Sequence, residues 1–367
     1  LSSFFGAILN SHNKFAAASA APIILNIVLI TILFFGRYLD DELIYYLSYG
    51  ISFAGLLQLI FLYRFVKKYY IIKFELKFKI NNKVKFFFKK LLPSIFSSGV
   101  TQINILVGTI IASFQTGAIS YLYYADRIYQ INLAIAGIAV GTVSLPVLSK
   151  AFKTKSLKRI SDIQNKSIEL SLLFSVPASL GLIFASEVIV SALFGYGSFS
   201  LNDVKITAQA LKFFGYGVPA FALVKILSNF YFARDNTKTP FFISSLIIFL
   251  NILISLSLFT KIGFIIIPIA TTISTWIGVF IYLYSLNIKK TLLFKNHLIV
   301  NFTKIIISTI LMTLILLFLL DALASYLNYN YQYKAVYLIL TVSFVGILYL
   351  LSCYLLGILK LKNYKTN

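Results

Sequence analysis

The feature that most constrains this chain is a series of apolar runs, each long enough to cross a lipid bilayer. A membrane-spanning helix needs about 20 consecutive, predominantly apolar residues. Such runs occur at about 16–36, 42–63, 91–114, 117–148, 166–185, 206–233, 240–260, 262–287, 298–320 and 334–359, after a partial run at 1–12. Of the 367 residues, 59% are hydrophobic and 12% are charged, against roughly 45–50% and 25% in soluble domains. The sequence therefore predicts an all-α polytopic membrane protein with ten or eleven spanning helices.

Basic residues indicate how these helices are oriented. If successive spans alternate in direction, 26 of the 33 Lys and Arg residues fall on one side of the membrane. Loops rich in Lys and Arg stay in the cytoplasm, so we expect that side, and the C-terminus with it, to be cytoplasmic. The net charge of +22 is then explained by topology, and no nucleic-acid partner is expected.

The sequence offers little support for metal or cofactor chemistry. It has no HExxH or Walker A pattern, and its two histidines, His12 and His297, lie far apart. Its one cysteine, Cys353, lies within a span and excludes an intrachain disulfide. We therefore expect no metal, no cofactor and no enzyme activity. Because the chain begins at Leu1 and its one methionine is Met312, we also expect that the N-terminal part of a longer protein is missing and that Leu1 lies inside a cut helix.

Arg127 is the residue that most needs an explanation. Counted from about residue 117, it lies roughly 15 Å into its span, half of a hydrocarbon core about 30 Å thick. A charge at that depth costs roughly 2.5–3.5 kcal/mol even on lenient scales. On a helix, residues three and four away share its face, among them Tyr123 and Gln130, whereas Asp126 is offset by about 100° and need not neutralise it. The pattern favours a cationic site for a diphosphate or carboxylate; the alternative is an ion pair between helices that fixes their packing.

Other polar residues in the spans are weaker candidates. Gln102 and Asn104 are uncharged and either line the same cavity or join helices. Lys225 is a second intramembrane cation, whose flexible side chain also allows it to reach water. Around 64–90, ten Lys and Arg residues face one acid, Glu75; this pattern fits an interfacial helix on anionic lipid, and the alternative is a solvated linker.

Several motifs, in this order and spacing, strongly resemble one protein family. They are QINILVGTIIASFQTGAISYLYYADRIYQ, GTVSLPVLSK, VPASLGLIF, LFGYGSF and FYFARDNTKTP. The resemblance is to the MurJ/MviN family of lipid II flippases, within the multidrug/oligosaccharidyl-lipid/polysaccharide (MOP) exporter superfamily. It is dense from about Pro93 to Pro240 and collinear elsewhere.

The resemblance implies a two-lobe transporter fold with fourteen membrane helices, of which this chain would hold the last ten or eleven. It divides the chain into the end of the N-terminal lobe at 1–66, a basic cytoplasmic linker at 67–90, a C-terminal lobe of six spans at 91–287, and two additional spans with a basic tail at 288–367. It also implies alternating access, a cavity lined by arginines, and a groove for the polyprenyl tail formed by the last two helices. Of the family's cavity arginines, only the YADR arginine carries over, onto Arg127.

This sequence departs from the family's pattern at three places. Asn132 and Ala134 stand where relatives usually have Pro and Gly, so a helix break after Arg127 is expected to be weaker. Gly108 occupies a position where relatives often have a polar side chain, which puts a cavity contact there in doubt. Gly195 replaces a commonly acidic residue in the LFxxGxF turn.

The predicted function is translocation of lipid-linked peptidoglycan precursor (lipid II) across the bacterial cytoplasmic membrane. The substrate-binding candidates are Arg127, Tyr123, Gln130, Asp126, Asn104, Gln102 and Lys225, and the expected partners are lipid II, anionic lipid at 64–90 and cell-wall synthesis proteins. One alternative is a polysaccharide-lipid flippase or drug exporter of the same superfamily. Another is a membrane transferase acting on polyprenyl diphosphates, which would need clustered carboxylates; Asp126, Asp162, Glu169 and Asp235 form no clear cluster in the sequence.

Overall fold

The computed structural model describes residues 1–12, 14–36, 43–70, 84–85, 104–154, 156–288 and 291–359. Its helices are α1 (Ser2–Ser11), α2 (Phe15–Gly36), α3 (Leu43–Val66), α4 (Asn104–Ser113), α5 (Ala118–Leu133), α6 (Val140–Lys153), α7 (Leu157–Phe184), α8 (Ser186–Phe194), α9 (Leu201–Phe232), α10 (Lys238–Ile262), α11 (Ile266–Ile288), α12 (Asn296–Ala322) and α13 (Lys334–Leu355). Within these ranges, eight helical stretches are long and apolar enough to cross a membrane, where α5 and α6 count as one stretch and α10 and α11 as another. The predicted all-α polytopic fold is confirmed. The start of the predicted span 91–114 lies outside the described residues.

The chain divides into two compact units at residues 86 and 87, within the stretch that the sequence predicts to be a linker. In the first unit, Leu1–Phe86, α1, α2 and α3 pack around an apolar cluster that includes Phe5, Leu9 and Leu62. The finer assignment of 1–66, 67–90, 91–287 and 288–367 to lobes, linker and added spans stays a prediction.

Helix α9 is the centre of the second unit, Phe87–Asn367. It begins with a capping box, in which the Asp203 N–H donates to the Ser200 hydroxyl (3.2 Å) and the Ser200 N–H donates to the Asp203 carboxylate (2.8 Å). In the most apolar 18-residue stretch of α9, 72% of the residues are buried. The helix packs against α5, α7 and α11. A helix that is apolar on all sides is expected in such a core position.

Helices α10 and α11 meet at a sharp corner at Gly263, next to the boundary that the sequence places between 260 and 262. Gly263 has φ 74° and ψ −160°, a conformation that residues with a side chain rarely adopt. The Gln115 side chain fixes the corner, because its Oε1 accepts a hydrogen bond from the Phe264 N–H (2.9 Å). The same oxygen would lie 2.8 Å from a Cβ added at Gly263.

We expect Gly263→Ala to lower the free energy of unfolding by roughly 1–3 kcal/mol, because alanine must adopt a strained backbone conformation there. Thermal unfolding of the purified protein in detergent measures the loss. Gly346→Ala is the control, since a Cβ added at Gly346 meets no atom within 4 Å. Equal unfolding temperatures for the two variants would contradict the explanation of the corner.

Helices α5 and α6 form one continuous helical stretch, Ala118–Lys153. A π-helical turn, Ala134–Ala139, joins them, so the helix widens after Arg127 instead of breaking. The turn lies where α9 comes close: a Cβ added at Gly137 would be 3.1 Å from Ala222 Cα. Arg127 is therefore carried on an uninterrupted helix that packs against the core.

Polar contacts hold α12 and α13 at both ends. At one end, the buried Glu169 carboxylate on α7 accepts a hydrogen bond from Asn301 Nδ2 on α12 (2.9 Å). At the other end, the buried Lys334 ammonium at the start of α13 donates to the carbonyl oxygens of Gly195 (2.7 Å) and Tyr329 (2.6 Å). These bonds connect α12 to α7 and the start of α13 to the turn that follows α8.

Candidate functional site

A cavity of about 540 Å³ opens in the second unit between α4, α5, α9, α10 and α11. Four of the predicted site residues on α5 line it: Tyr123, Asp126, Arg127 and Gln130. Asn104 on α4 lines it as well. Tyr123, Arg127 and Gln130, which the 3.6-residue periodicity groups on one helix face, thus lie together in the wall of this cavity; their role in binding stays a prediction.

The Arg127 guanidinium is free of any carboxylate in the described part of the chain, where the ion pairs within 4.0 Å join Lys166, Lys295 and His297 to acids elsewhere. Its Cζ lies 4.6 Å from the ring centroid of Tyr123, a cation–π contact that orients the guanidinium and leaves its donors available. Arg127 is solvent-exposed in the second unit. The described residues thus provide no support for the alternative that Arg127 serves as half of an ion pair between helices.

The carboxylate of Asp126 forms no ion pair within 4.0 Å with Arg127. It accepts a hydrogen bond from the Gln130 side-chain amide, one helical turn later. The Tyr129 ring packs against Phe214 and Phe221 of α9, with centroid distances of 4.6 and 5.3 Å. The cavity therefore holds one cation and one carboxylate that do not neutralise each other directly.

The wall formed by α10 and α11 is polar but uncharged, and the sequence reasoning missed it. Asn251 Nδ2 donates to Asn104 Oδ1 (2.8 Å), and Asn251 Oδ1 accepts longer bonds from the hydroxyls of Ser255 and Thr271 (both 3.4 Å). All four residues line the cavity. The signal in the sequence was the pair of polar residues at 251 and 255, which share one face of an otherwise apolar helix.

Two predicted site residues are not placed in this cavity. Gln102 lies outside the described residues. Lys225 is exposed on α9 and is absent from the residues that line the cavity. It lies on nearly the same face of α9 as Phe214, about 16 Å further along the helix axis. The binding roles of both residues stay predictions. Gly108 lines the cavity, but as a glycine it has no side chain that could contact a ligand.

A second, larger concavity of about 820 Å³ is an apolar groove between α5, α7, α8, α12 and α13. Its lining is aliphatic and aromatic apart from Asn132 and Ser343. The family resemblance implies a groove formed by the last two helices; in the structure, α5, α7 and α8 also contribute to the walls of this groove.

Helix α5 separates the cavity from the groove. Arg127 and Gln130 face the cavity, whereas Ile128, Ile131 and Asn132 face the groove. Arg127 and Ile131 are one turn apart on the same helix face, so the guanidinium lies at the border between the two spaces. An amphiphile with an anionic head and an apolar chain can therefore occupy both across a single helix.

The chain is similar to known proteins over most of its length. The family model described as "Lipid II flippase MurJ" matches residues 1–359. A "Probable lipid II flippase MurJ" of Rickettsia prowazekii (strain Madrid E) is 36% identical over 94% of this chain and 67% of its own length. A protein of the same description from Rhizobium meliloti (strain 1021) is 35% identical over 81% of this chain and 55% of its own length.

Among solved structures, one described as "Lipid II flippase MurJ, inward closed conformation" superimposes with a TM-score of 0.78 at 28% identity. The match covers 96% of this chain and 70% of the solved one. The chain thus spans between about half and 70% of the length of these relatives. Its sequence, from the first helix to α13, and its helical architecture place it in one family, and the chain belongs to the MurJ family.

Proposed function

We propose that this protein moves lipid II, or a closely related polyprenyl-diphosphate-linked precursor, from the inner to the outer leaflet of the bacterial cytoplasmic membrane. The observation that carries the proposal is Arg127, a guanidinium with no carboxylate partner among the described residues, at the border between a polar cavity and an apolar groove. The protein makes and breaks no covalent bond in this role. It lowers the free-energy barrier to moving a large polar headgroup through the hydrocarbon core of the membrane.

The cavity suits the headgroup. A guanidinium offers a planar fork of donors that matches phosphate oxygens and stays ionised at any physiological pH. The amides of Asn104 and Asn251 and the hydroxyl of Thr271 line the same space and supply neutral hydrogen-bonding groups of the kind that sugars and peptides accept. Arg127 therefore binds the diphosphate, and the uncharged wall contacts the remainder of the headgroup.

The groove suits the polyprenyl tail. Its lining residues come from five helices and are almost entirely apolar, so a hydrocarbon chain gains contacts there without leaving a polar group unpaired. During transfer the tail stays in the groove or in lipid, and only the headgroup crosses the membrane through the cavity. Alternating access between two lobes then exposes the headgroup to one side at a time.

The orientation in the membrane and the contact with anionic lipid are inferred from the distribution of Lys and Arg residues. The side richer in Lys and Arg is cytoplasmic and includes the C-terminus. The basic stretch at 64–90 binds anionic lipid at that surface. Because the precursor reaches the outer leaflet for polymerisation, cell-wall synthesis proteins are the partners expected there.

Rescue of living cells tests the proposal. The protein, expressed at its natural length, is expected to restore growth to bacteria depleted of their own lipid II flippase. Growth is measured together with the amount of protein in the membrane. Failure to rescue at normal abundance, in hosts related to the organisms of the matching proteins, would refute the proposal.

A further inference from the structure

Asp126 is a carboxylate in a cavity that, under the proposed function, must bind and release an anion. It lies next to Arg127 in the chain and lines the same space of about 540 Å³. An ionised carboxylate there repels an incoming diphosphate, because both charges lie in a confined region of low dielectric constant. Asp126 therefore weakens headgroup binding whenever it is ionised.

Asp126 forms no ion pair within 4.0 Å with Arg127. Among the described side chains, the neutral Gln130 amide donates a hydrogen bond to its carboxylate. A carboxylate in an ion pair with Arg127 would resist protonation, because the guanidinium favours the charged form. A half-buried carboxylate without such an ion pair gains a proton more readily, because burial disfavours its charged form.

Asp126 is the one acidic residue in the described lining of the cavity. The other titratable side chains that line the cavity are Arg127, Tyr123 and Tyr129, all on α5. Helices α4, α9, α10 and α11 contribute only neutral side chains to the described lining. Glu169, the most buried acid of the spans, is ion-paired with Lys166 (2.6 Å) and does not line the cavity. Protonation of Asp126 is therefore the change that most alters the charge seen by a bound headgroup.

We propose that Asp126 is a proton-binding site linked to the substrate, so that the cavity takes up one proton with the anionic headgroup and returns it to water on release. An O–H bond forms on the Asp126 carboxylate from a solvent proton, and the same bond breaks when the headgroup leaves. With the proton bound, the cavity has the net charge of Arg127 alone; without it, the two charges offset each other. This inference rests on the proposed function and assigns it a coupled ion.

Thermodynamic linkage between proton and anion binding determines the direction in which pH changes the affinity. Because the anion prefers the protonated cavity, affinity rises as the pH falls, and bound anion in turn favours protonation. Coupling between two linked sites is typically about 5- to 150-fold in affinity. For one linked proton, the dissociation constant changes by at most roughly tenfold per pH unit.

Calorimetric titration tests the linkage. Farnesyl diphosphate, a soluble probe with a diphosphate and a short isoprenoid chain, is titrated into the natural-length protein in nanodiscs between about pH 5.5 and about pH 8.5, a range in which a half-buried carboxylate can titrate. Buffers with different ionisation enthalpies report the protons taken up per ligand bound. Asp126→Asn is compared with the wild type at each pH, so that titration of the probe itself cancels.

Wild-type affinity is expected to weaken as the pH rises, relative to Asp126→Asn, which keeps the tight affinity throughout and takes up fewer protons. Asp162→Asn is the matched control, because Asp162 is an exposed aspartate paired with Lys295 at a distance from the cavity; it should follow the wild type. The same pH profile for Asp126→Asn and the wild type would overturn the inference. So would weak binding by both Asp126→Asn and Asp126→Ala at every pH, since the carboxyl group would then support binding instead of opposing it.

Arg127→Ala separates this inference from the proposed function. It should weaken probe binding at every pH, whatever the role of Asp126. If Arg127→Ala binds the probe as well as the wild type, the anion site itself is misplaced. If it weakens binding and the proton count is unchanged by Asp126→Asn, only the proton linkage fails.

Discussion

Arg127→Ala is expected to abolish rescue of flippase-depleted cells while the protein remains in the membrane at normal abundance. Hydrogen bonds to charged groups contribute about 1.5–3 kcal/mol, so headgroup binding should weaken by roughly 10- to 150-fold. Growth after depletion and the affinity for farnesyl diphosphate measure the two effects. The loss should exceed that of any other single substitution in the cavity, because the described lining holds one cation.

Arg127→Lys separates charge from geometry. Lysine keeps the charge but loses the planar fork that matches two phosphate oxygens, so partial rescue is expected. Arg159→Ala is the matched control: Arg159 is an exposed arginine in the first turn of α7 and should rescue fully. Full rescue by Arg127→Ala would show that the site lies mainly in other parts of the protein.

Gly346→Leu is expected to abolish rescue by filling the apolar groove. Gly346 lines the groove on α13, and an added Cβ there meets no atom within 4 Å. A leucine side chain would displace two or three methylene groups of a bound tail, at about 0.8 kcal/mol each, which corresponds to roughly thirtyfold weaker tail binding. Helix propensity also favours leucine over glycine, so the unfolding temperature should not fall.

Gly55→Leu controls for adding the same side chain elsewhere. Gly55 lies on α3 in the first unit, and a Cβ added there likewise meets no atom within 4 Å. Growth after depletion and thermal unfolding are measured for both variants. If Gly346→Leu rescues as well as Gly55→Leu, the tail does not use this groove.

The lengths of the apolar runs were sufficient to predict most of the membrane-spanning helices. The run at 206–233 corresponds to α9 at Leu201–Phe232, and the separation of 240–260 from 262–287 corresponds to the corner at Gly263. Helix ends were less accurate, because apolar length reports the membrane-embedded part and not the polar turns that extend a helix beyond it. The π-helical turn at Ala134–Ala139 had no local signal, since it depends on how closely α9 approaches.

The residues of the candidate site also differ in how well the sequence predicts their location. Tyr123, Arg127 and Gln130 are neighbours on one helix, so spacing alone predicts that they lie together. Asn104 and Asn251 are 147 positions apart and hydrogen-bonded, and no spacing rule connects them. Lys225 is polar and deep in its span, but its distance from the cavity depends on the arrangement of α9, which a single sequence does not reveal.

The most direct test of the central claim is transfer of a fluorescent lipid II analogue between the leaflets of proteoliposomes that contain the natural-length protein. A membrane-impermeant quencher, added outside, reports how fast the analogue reaches the outer leaflet. The account predicts fast transfer by the wild type, and transfer no faster than in protein-free liposomes for Arg127→Ala and Gly346→Leu. Equal transfer by the wild type and both variants would contradict it.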